Sequence, residues 1–294
     1  MKITLLDGGM GQELVRRSGQ PPTPLWSTQV MSDHPGLVAS VHADYVQAGA
    51  VVHTTNTYAI HRDRLLRAGI EDQFATLHGL ALTEAANAVP KGCRIAGSIG
   101  PLGASYRSDL TPPHAKAVRL FSEVAALLAP RVDLFLFETV ASVAQARAAL
   151  DAGAEHDKPV WIALTVDDED GSLLRSGEPL ADVLPLLDGK AEALLANCSA
   201  PEAMPAALAV LKQSGLPFGA YANGFTQITK EFLKDAPTVD ALSARQDMTP
   251  EAYADHVMAW IDMGATIVGG CCETGPAHSA ESARRRQEAG HAIG

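Results

Sequence analysis

Eight short β-rich runs alternate with longer amphipathic patterns along 294 residues, no linker or shift in composition divides them, and no GxGxxG follows the first run. These features predict an α/β fold closed as a (β/α)8 TIM barrel, a single domain over residues 1–294, in preference to an open doubly wound sheet. The length suits one barrel of roughly 250 residues with insertions.

The candidate strands are ITLLDGG (Ile3 to Gly9), VVHTTNTY (Val51 to Tyr58), RIAGSIG (Arg94 to Gly100), LFLFET (Leu134 to Thr139), PVWIALTV (Pro159 to Val166), ALLANCS (Ala193 to Ser199), FGAYAN (Phe218 to Asn223) and TIVGGCC (Thr266 to Cys272). Each is short and largely apolar, and most carry β-branched or aromatic residues. Between them, apolar residues recur at three- and four-residue spacing over Pro35 to Gly49, Phe74 to Val89, Ala115 to Ala129, Ser142 to Gly153, Pro201 to Gly215 and Pro250 to Gly264. That spacing places an apolar stripe on one helix face. Several of these segments open at Pro and stop at Gly, the asymmetry expected of helix ends. The longer segments after strand ends, Met10 to His34, Pro101 to His114, Asp167 to Pro179 and Gly224 to Thr249, are expected as loops walling the catalytic face of the barrel.

Composition narrows the function. With 47% apolar and 19% charged residues the chain reads as soluble, and the apolar run after Lys2 is cut by Asp7 and glycines before a secretory core forms. A cytoplasmic location is the expectation, with no membrane partner. A net charge of −11 repels phosphate backbones, and no basic stripe interleaved with aromatics opposes it, so nucleic acid is not an expected partner. The basic cluster Arg284-Arg285-Arg286 falls near the end of a terminal helical pattern, where positive charge suits the helix dipole.

Four cysteines are too few for a disulfide framework. Cys198 ends the sixth run and Cys271 with Cys272 ends the eighth, at the rim where barrel enzymes keep their sites, whereas Cys93 starts the third run at the opposite end. Buried packing accounts for Cys93 but not for three thiols at one rim. A vicinal pair does not match the C-x-x-C redox motif, and no strand-end histidine stands ready for a thiol nucleophile, His53 lying inside its run. Three thiolates with an open fourth position describe a catalytic zinc site. Successive strand residues point to opposite faces, so Cys271 and Cys272 converge only if the strand end after Gly269-Gly270 is irregular.

Asp7 and Glu138 also end apolar runs at that rim, where an unpartnered carboxylate is costly. Each alone also suits a helix cap or a solvated rim charge. Together with the backbone amides of Gly8-Gly9 they suit the two ends of an amino acid, carboxylates on its ammonium and N–H groups on its carboxylate.

The pieces LLDGGMGQEL, TTNTY, GSIGP, FETV, NCS and GGCCETGP, in this order over nearly the whole chain, resemble the homocysteine S-methyltransferases, a family that includes S-methylmethionine and betaine methyltransferases. The resemblance implies Cys198, Cys271 and Cys272 as zinc ligands acting in catalysis, and Asp7, Gly8, Glu138 and Asn197 as the homocysteine-binding set, with Tyr58 near the methyl donor. His278 stands in the familiar GPxH context, but Ser279 follows it where an aliphatic residue is common. The implied reaction is methyl transfer from a sulfonium or ammonium donor to homocysteine, giving methionine. Trp26, Tyr58, Tyr106 and Phe225 are candidates to cradle an onium centre. S-methylmethionine, S-adenosylmethionine, dimethylsulfoniopropionate and betaine remain open as donors, part of the choice being expected in the loop Gly224 to Thr249. A selenol acceptor, or a non-catalytic zinc-binding module, is the alternative. The lack of the long arm of the tetrameric betaine enzymes points to a monomer or small homo-oligomer.

Overall fold

The computed structural model describes residues 1–21, 23, 25–226, 228 and 242–294. Among the described residues nine strands run in one curled sheet: β1 (Lys2–Leu5), β2 (Val52–Thr54), β3 (Arg94–Ile99), β4 (Leu134–Val140), β5 (Val160–Leu164), β6 (Ala193–Asn197), β7 (Phe218–Tyr221), β8 (Ile267–Val268) and β9 (Ala292–Ile293). Their order is β2-β3-β4-β5-β6-β7-β8-β1-β9, and every neighbouring pair is parallel. All eight expected runs contain a strand. The ninth was not expected; it adds the chain end to the outer side of β1 through Lys2–Ala292 and Ile3–Ile293 pairing. Just past β1, Leu6 makes a parallel bridge with Val52, flanked by Val51 N–H to Leu5 O at 2.8 Å and Asp7 N–H to Val52 O at 3.1 Å.

Parallel sheets are covered on both faces, and their strands read as nearly continuous apolar runs. LFLFETV is buried along its whole length. Alternation then splits it between two cores. Leu134 and Leu136 join Leu6, Val52, Trp161 and Leu195 in an inner cluster, while Phe135 and Phe137 join the larger core beneath the helices. The concave face is thus filled with side chains up to the strand ends.

The expected helices form as Leu37–Gln47, Phe74–Ala88, His114–Leu128, Val143–Gly153, Met204–Leu211 and Pro250–Asp262. Two starts are capped by side chains, with Ser142 Oγ accepting from Gln145 N–H at 3.2 Å and Thr249 Oγ1 from Ala252 N–H at 3.3 Å. The terminal helix runs Pro276–Glu288, where Arg284 and Arg285 both pair with Glu281. Met10 to His34, expected as a loop, instead holds helices Met10–Ser18 and Ser27–Asp33. Between β5 and β6 the covering element is a 3-10 helix, Leu180–Leu186, because Pro185 removes a backbone donor that an α-helix needs. Among the described residues, no helix is long and apolar enough to cross a membrane.

Candidate metal and substrate site

The strand ends open into a cavity of about 490 Å³, within the ~300–1,000 Å³ typical of small-molecule sites. Cys198, Cys271 and Cys272 line its floor, and their Sγ atoms all lie within 4.8 Å of one another. The irregular strand end is present: β8 stops at Val268. Beyond it the backbone is held by Gly269 N–H to Ala220 O, Gly270 N–H to Asp7 O and Cys271 N–H to Ala222 O. A turn closed by Thr274 N–H and Oγ1 on Cys271 O then swings Cys272 back beside its neighbour. Gly270 is needed for proximity, not for a left-handed φ: a Cβ there would fall 2.0 Å from Thr274 Oγ1.

All five described non-glycine residues with positive φ, Trp26, Tyr106, Thr139, Cys198 and Glu273, line the cavity or adjoin Cys272. Backbone strain of this kind gathers at functional sites because the surrounding structure must hold it in place. At Thr139 the restraint is visible. Asn197 Oδ1 accepts from Thr139 N–H at 3.0 Å and Asn197 Nδ2 donates to Thr139 Oγ1 at 3.1 Å. Asn197 is fully buried and lies behind the cavity lining, so its carboxamide fixes the turn after Glu138.

Without a cation, three adjacent thiols cannot all ionise. Cys198 is held well below the ordinary thiol range by hydrogen bonds from Cys271 and Cys272, with help from Tyr106, whose hydroxyl is 2.9 Å from its sulfur. The same contacts with Cys198 push the Cys271 and Cys272 thiols up. One thiolate exists readily; a second and third need positive charge.

Asp7 and Glu138 line the same cavity, with 2% and 8% of their surface exposed. Asp7 accepts from Thr54 N–H at 2.7 Å and from Thr54 Oγ1 at 3.0 Å. Burial, with the Glu138 charge adding, nevertheless pushes its carboxyl up to about 8. Glu138 accepts from Tyr221 OH at 3.0 Å and from Ser98 Oγ, and burial lifts it to about 7. Both carboxyls are thus set in surroundings that favour a positively charged ligand group between them. Of the two amides expected for an amino-acid carboxylate, Gly9 N–H is already bonded to Thr274 O at 2.8 Å; Gly8 lines the cavity.

Trp26, Tyr58, Tyr106 and Phe225 all reach the cavity. Trp26 and Tyr58 meet edge to face at 6.4 Å, and Tyr58 OH bonds Ser105 Oγ at 2.7 Å. Of the loop Gly224 to Thr249, residues 227 and 229–241 lie outside the described residues, while Phe225 and Leu242 line the cavity. His278 orders the turn before the last helix, its Nδ1 accepting from Gly275 N–H at 3.1 Å.

Sequence reading missed a second group, Asp7, His42 and His53, with one ligand atom of each within 4.8 Å of the others. Burial pushes His42 down to about 3 and His53 to about 4, so both are neutral near pH 7. His53 Nε2 lies 3.1 Å from Ala50 O. It also missed Thr54, Ser98 and Tyr221, which hold the carboxyls, and Arg64 and Arg67 in the cavity wall.

The homocysteine S-methyltransferase family model matches residues 4–285. A homocysteine S-methyltransferase of Escherichia coli strain K12 is 31% identical over 94% of this chain and 92% of its own length. A selenocysteine methyltransferase of Astragalus bisulcatus is 25% identical over 94% and 90%. The crystal structure of the homocysteine methyltransferase MmuM from Escherichia coli in its metallated form superposes with a TM-score of 0.81 at 29% identity, covering 97% of this chain and 96% of that one. With a family match over nearly the whole chain, and relatives aligned along nearly their full length, the chain belongs to the homocysteine S-methyltransferase family.

Proposed function

We propose that the protein transfers a methyl group from a sulfonium or ammonium donor to the thiol of homocysteine, giving methionine, with Cys198, Cys271 and Cys272 holding a zinc ion. The observation that carries this reading is the three-thiol cluster on the floor of a cavity whose wall holds two buried carboxyls. The donor set fits: tetrahedral zinc with Zn–S of ~2.3 Å needs sulfurs roughly 3.8 Å apart, and Cys198 Sγ is 4.0 Å from Cys272 Sγ. When bound, zinc supplies a Lewis acid that keeps thiols deprotonated at neutral pH.

The chain's own residues do the rest. Asp7 and Glu138 receive the ammonium of homocysteine, and Gly8 N–H faces its carboxylate. Asn197, through Thr139, keeps Glu138 aimed inward. The homocysteine sulfur attacks the methyl carbon in line with the onium bond. The new S–C bond forms as the old bond breaks, its electron pair leaves with the donor as a neutral thioether or amine, and the thiol proton goes to solvent. The aromatic wall of Trp26 and Tyr58 suits the positive charge that this step discharges.

The same reading takes residues 1–294 as one (β/α)8 barrel domain, supported by the Leu6–Val52 bridge that brings β1 beside β2. A selenol acceptor is the second reading, favoured by the relative named selenocysteine methyltransferase. The test is methionine formation by zinc-loaded protein from homocysteine and each of S-methylmethionine, S-adenosylmethionine, dimethylsulfoniopropionate and betaine. Product from one donor is expected; no product from any of them, with zinc retained, overturns methyl transfer.

A further inference from the structure

Arg64, on the helix Arg62–Arg67, puts a guanidinium in the wall of the cavity. Its Nη2 donates to Pro101 O at 2.9 Å, and its Nε is buried with no hydrogen-bond partner among the described residues. No carboxylate of those residues lies within ion-pair distance of it, whereas its neighbour Arg67 pairs with Asp63 at 3.5 Å and donates to Gly103 O at 2.7 Å. In a chain with 34 acidic and 23 basic residues, such a cation inside a cavity stands out. Burying it without an anion is costly, and burial lowers its pKa. The guanidinium carbon sits 5.8 Å from the Tyr58 ring centroid, so it lies next to the aromatic wall and belongs to the donor's part of the cavity.

Resting on the methyl-transfer reading above, we propose that Arg64 binds the carboxylate of a zwitterionic methyl donor whose onium centre lies against Tyr58 and Trp26. The donor class is then an onium carboxylate, and simple onium ions without an anionic group are discriminated against. Two positive charges beside one another, Arg64 and an onium, repel unless the donor brings its own anion between them. A guanidinium matches a carboxylate with paired N–H donors, which a lysine cannot reproduce in full.

The experiment compares S-methylmethionine and dimethylsulfoniopropionate, each beside its carboxamide, on wild type, Arg64→Gln and Arg64→Lys, with homocysteine as acceptor. A charged hydrogen bond of the usual strength corresponds to a ~10–100-fold change in affinity. Arg64→Gln is expected to raise the KM for the carboxylate donors by about that factor, leave the KM for homocysteine within ~2-fold, and lower the KM for the carboxamides, whose onium no longer faces an unshielded guanidinium. Arg64→Lys should recover part of the loss. Equal effects on acid and amide overturn the proposal, as does a rise confined to the homocysteine KM, which would assign Arg64 to the acceptor's carboxylate. Calorimetric titration of the same four compounds onto the zinc-loaded protein without homocysteine separates the two readings. If wild type turns over no donor, methyl transfer fails, yet acid-over-amide preference in binding still decides Arg64. If Arg64→Gln does not fold, the acid–amide comparison on wild type and Arg64→Lys decides the same question.

Discussion

Homocysteine binding should expel protons from the carboxyl pair in the cavity. In the ligand-free protein Asp7 is raised from 3.8 to about 8 and Glu138 from 4.5 to about 7, so at pH 6 both carboxyls hold most of a proton. A substrate ammonium set between them stabilises their charged forms. One ammonium compensates one carboxylate, and about one proton should leave per ligand at pH 6. The release should fade as pH rises through about 8, where Asp7 is already ionised in the free protein. The thiol also loses its proton on the metal, so the assay needs a matched control: calorimetric titration of homocysteine and of 4-mercaptobutyrate, which lacks the amino group, in two buffers of different ionisation enthalpy. The difference between the two ligands isolates the ammonium. A difference of about one proton at pH 6, falling towards zero by pH 9, is expected. Equal release from both ligands at every pH would refute the assignment of Asp7 and Glu138 to the ammonium.

Other outcomes follow from the same geometry. Because the Glu138 pKa is raised on folding, its contribution to ligand-free stability is complete below 4.5 and lost as pH rises through about 7. Glu138→Gln should therefore unfold later than wild type at pH 9, by about 3–4 kcal/mol at ~1.4 per pH unit over the rise from 4.5 to about 7, while losing homocysteine affinity; no gain in denaturation midpoint at pH 9 contradicts the burial argument. Gly270→Ala places a methyl 2.0 Å from Thr274 Oγ1, which must shift the turn carrying Cys271 and Cys272. Zinc affinity in a chelator competition should drop ~10-fold or more, on the scale of a disturbed ligand support. Tyr58→Ala should raise the donor KM by ~3–30-fold, the range of a desolvated cation–π contact, and an equal rise for homocysteine would remove Tyr58 from the donor's part of the cavity.

Much of this was legible in the sequence because the signals were local. Each strand carried its own apolar run, and parallel strands turn positions at their carboxyl ends into a shared rim; Cys198, Cys271, Asp7 and Glu138 could therefore be placed together without knowing any contact. The double glycine before Cys271 likewise announced an irregular strand end. Features set by tertiary packing were hidden. The two-residue strand Ala292–Ile293 is too short to show alternation. Helices Met10–Ser18 and Ser27–Asp33 sit in a segment broken by glycine and prolines. Arg62, Arg64 and Arg67 share one short helix, and sequence spacing alone does not tell which of them points into the cavity. Asn197 adjoins Cys198 in sequence, yet its side chain serves Thr139, a partnership that only the fold reveals.

Three cysteines hold a metal, on this account, with one place left for the substrate's sulfur. X-ray absorption at the zinc edge, on wild type and Cys272→Ser with and without homocysteine, tests it most directly. Wild type should show three sulfur neighbours at ~2.3 Å and gain a fourth when homocysteine is added, and Cys272→Ser should lose the metal or a sulfur together with methionine formation. A sulfur count that does not change on adding homocysteine, or a Cys272→Ser protein that keeps both zinc and turnover, would contradict the account.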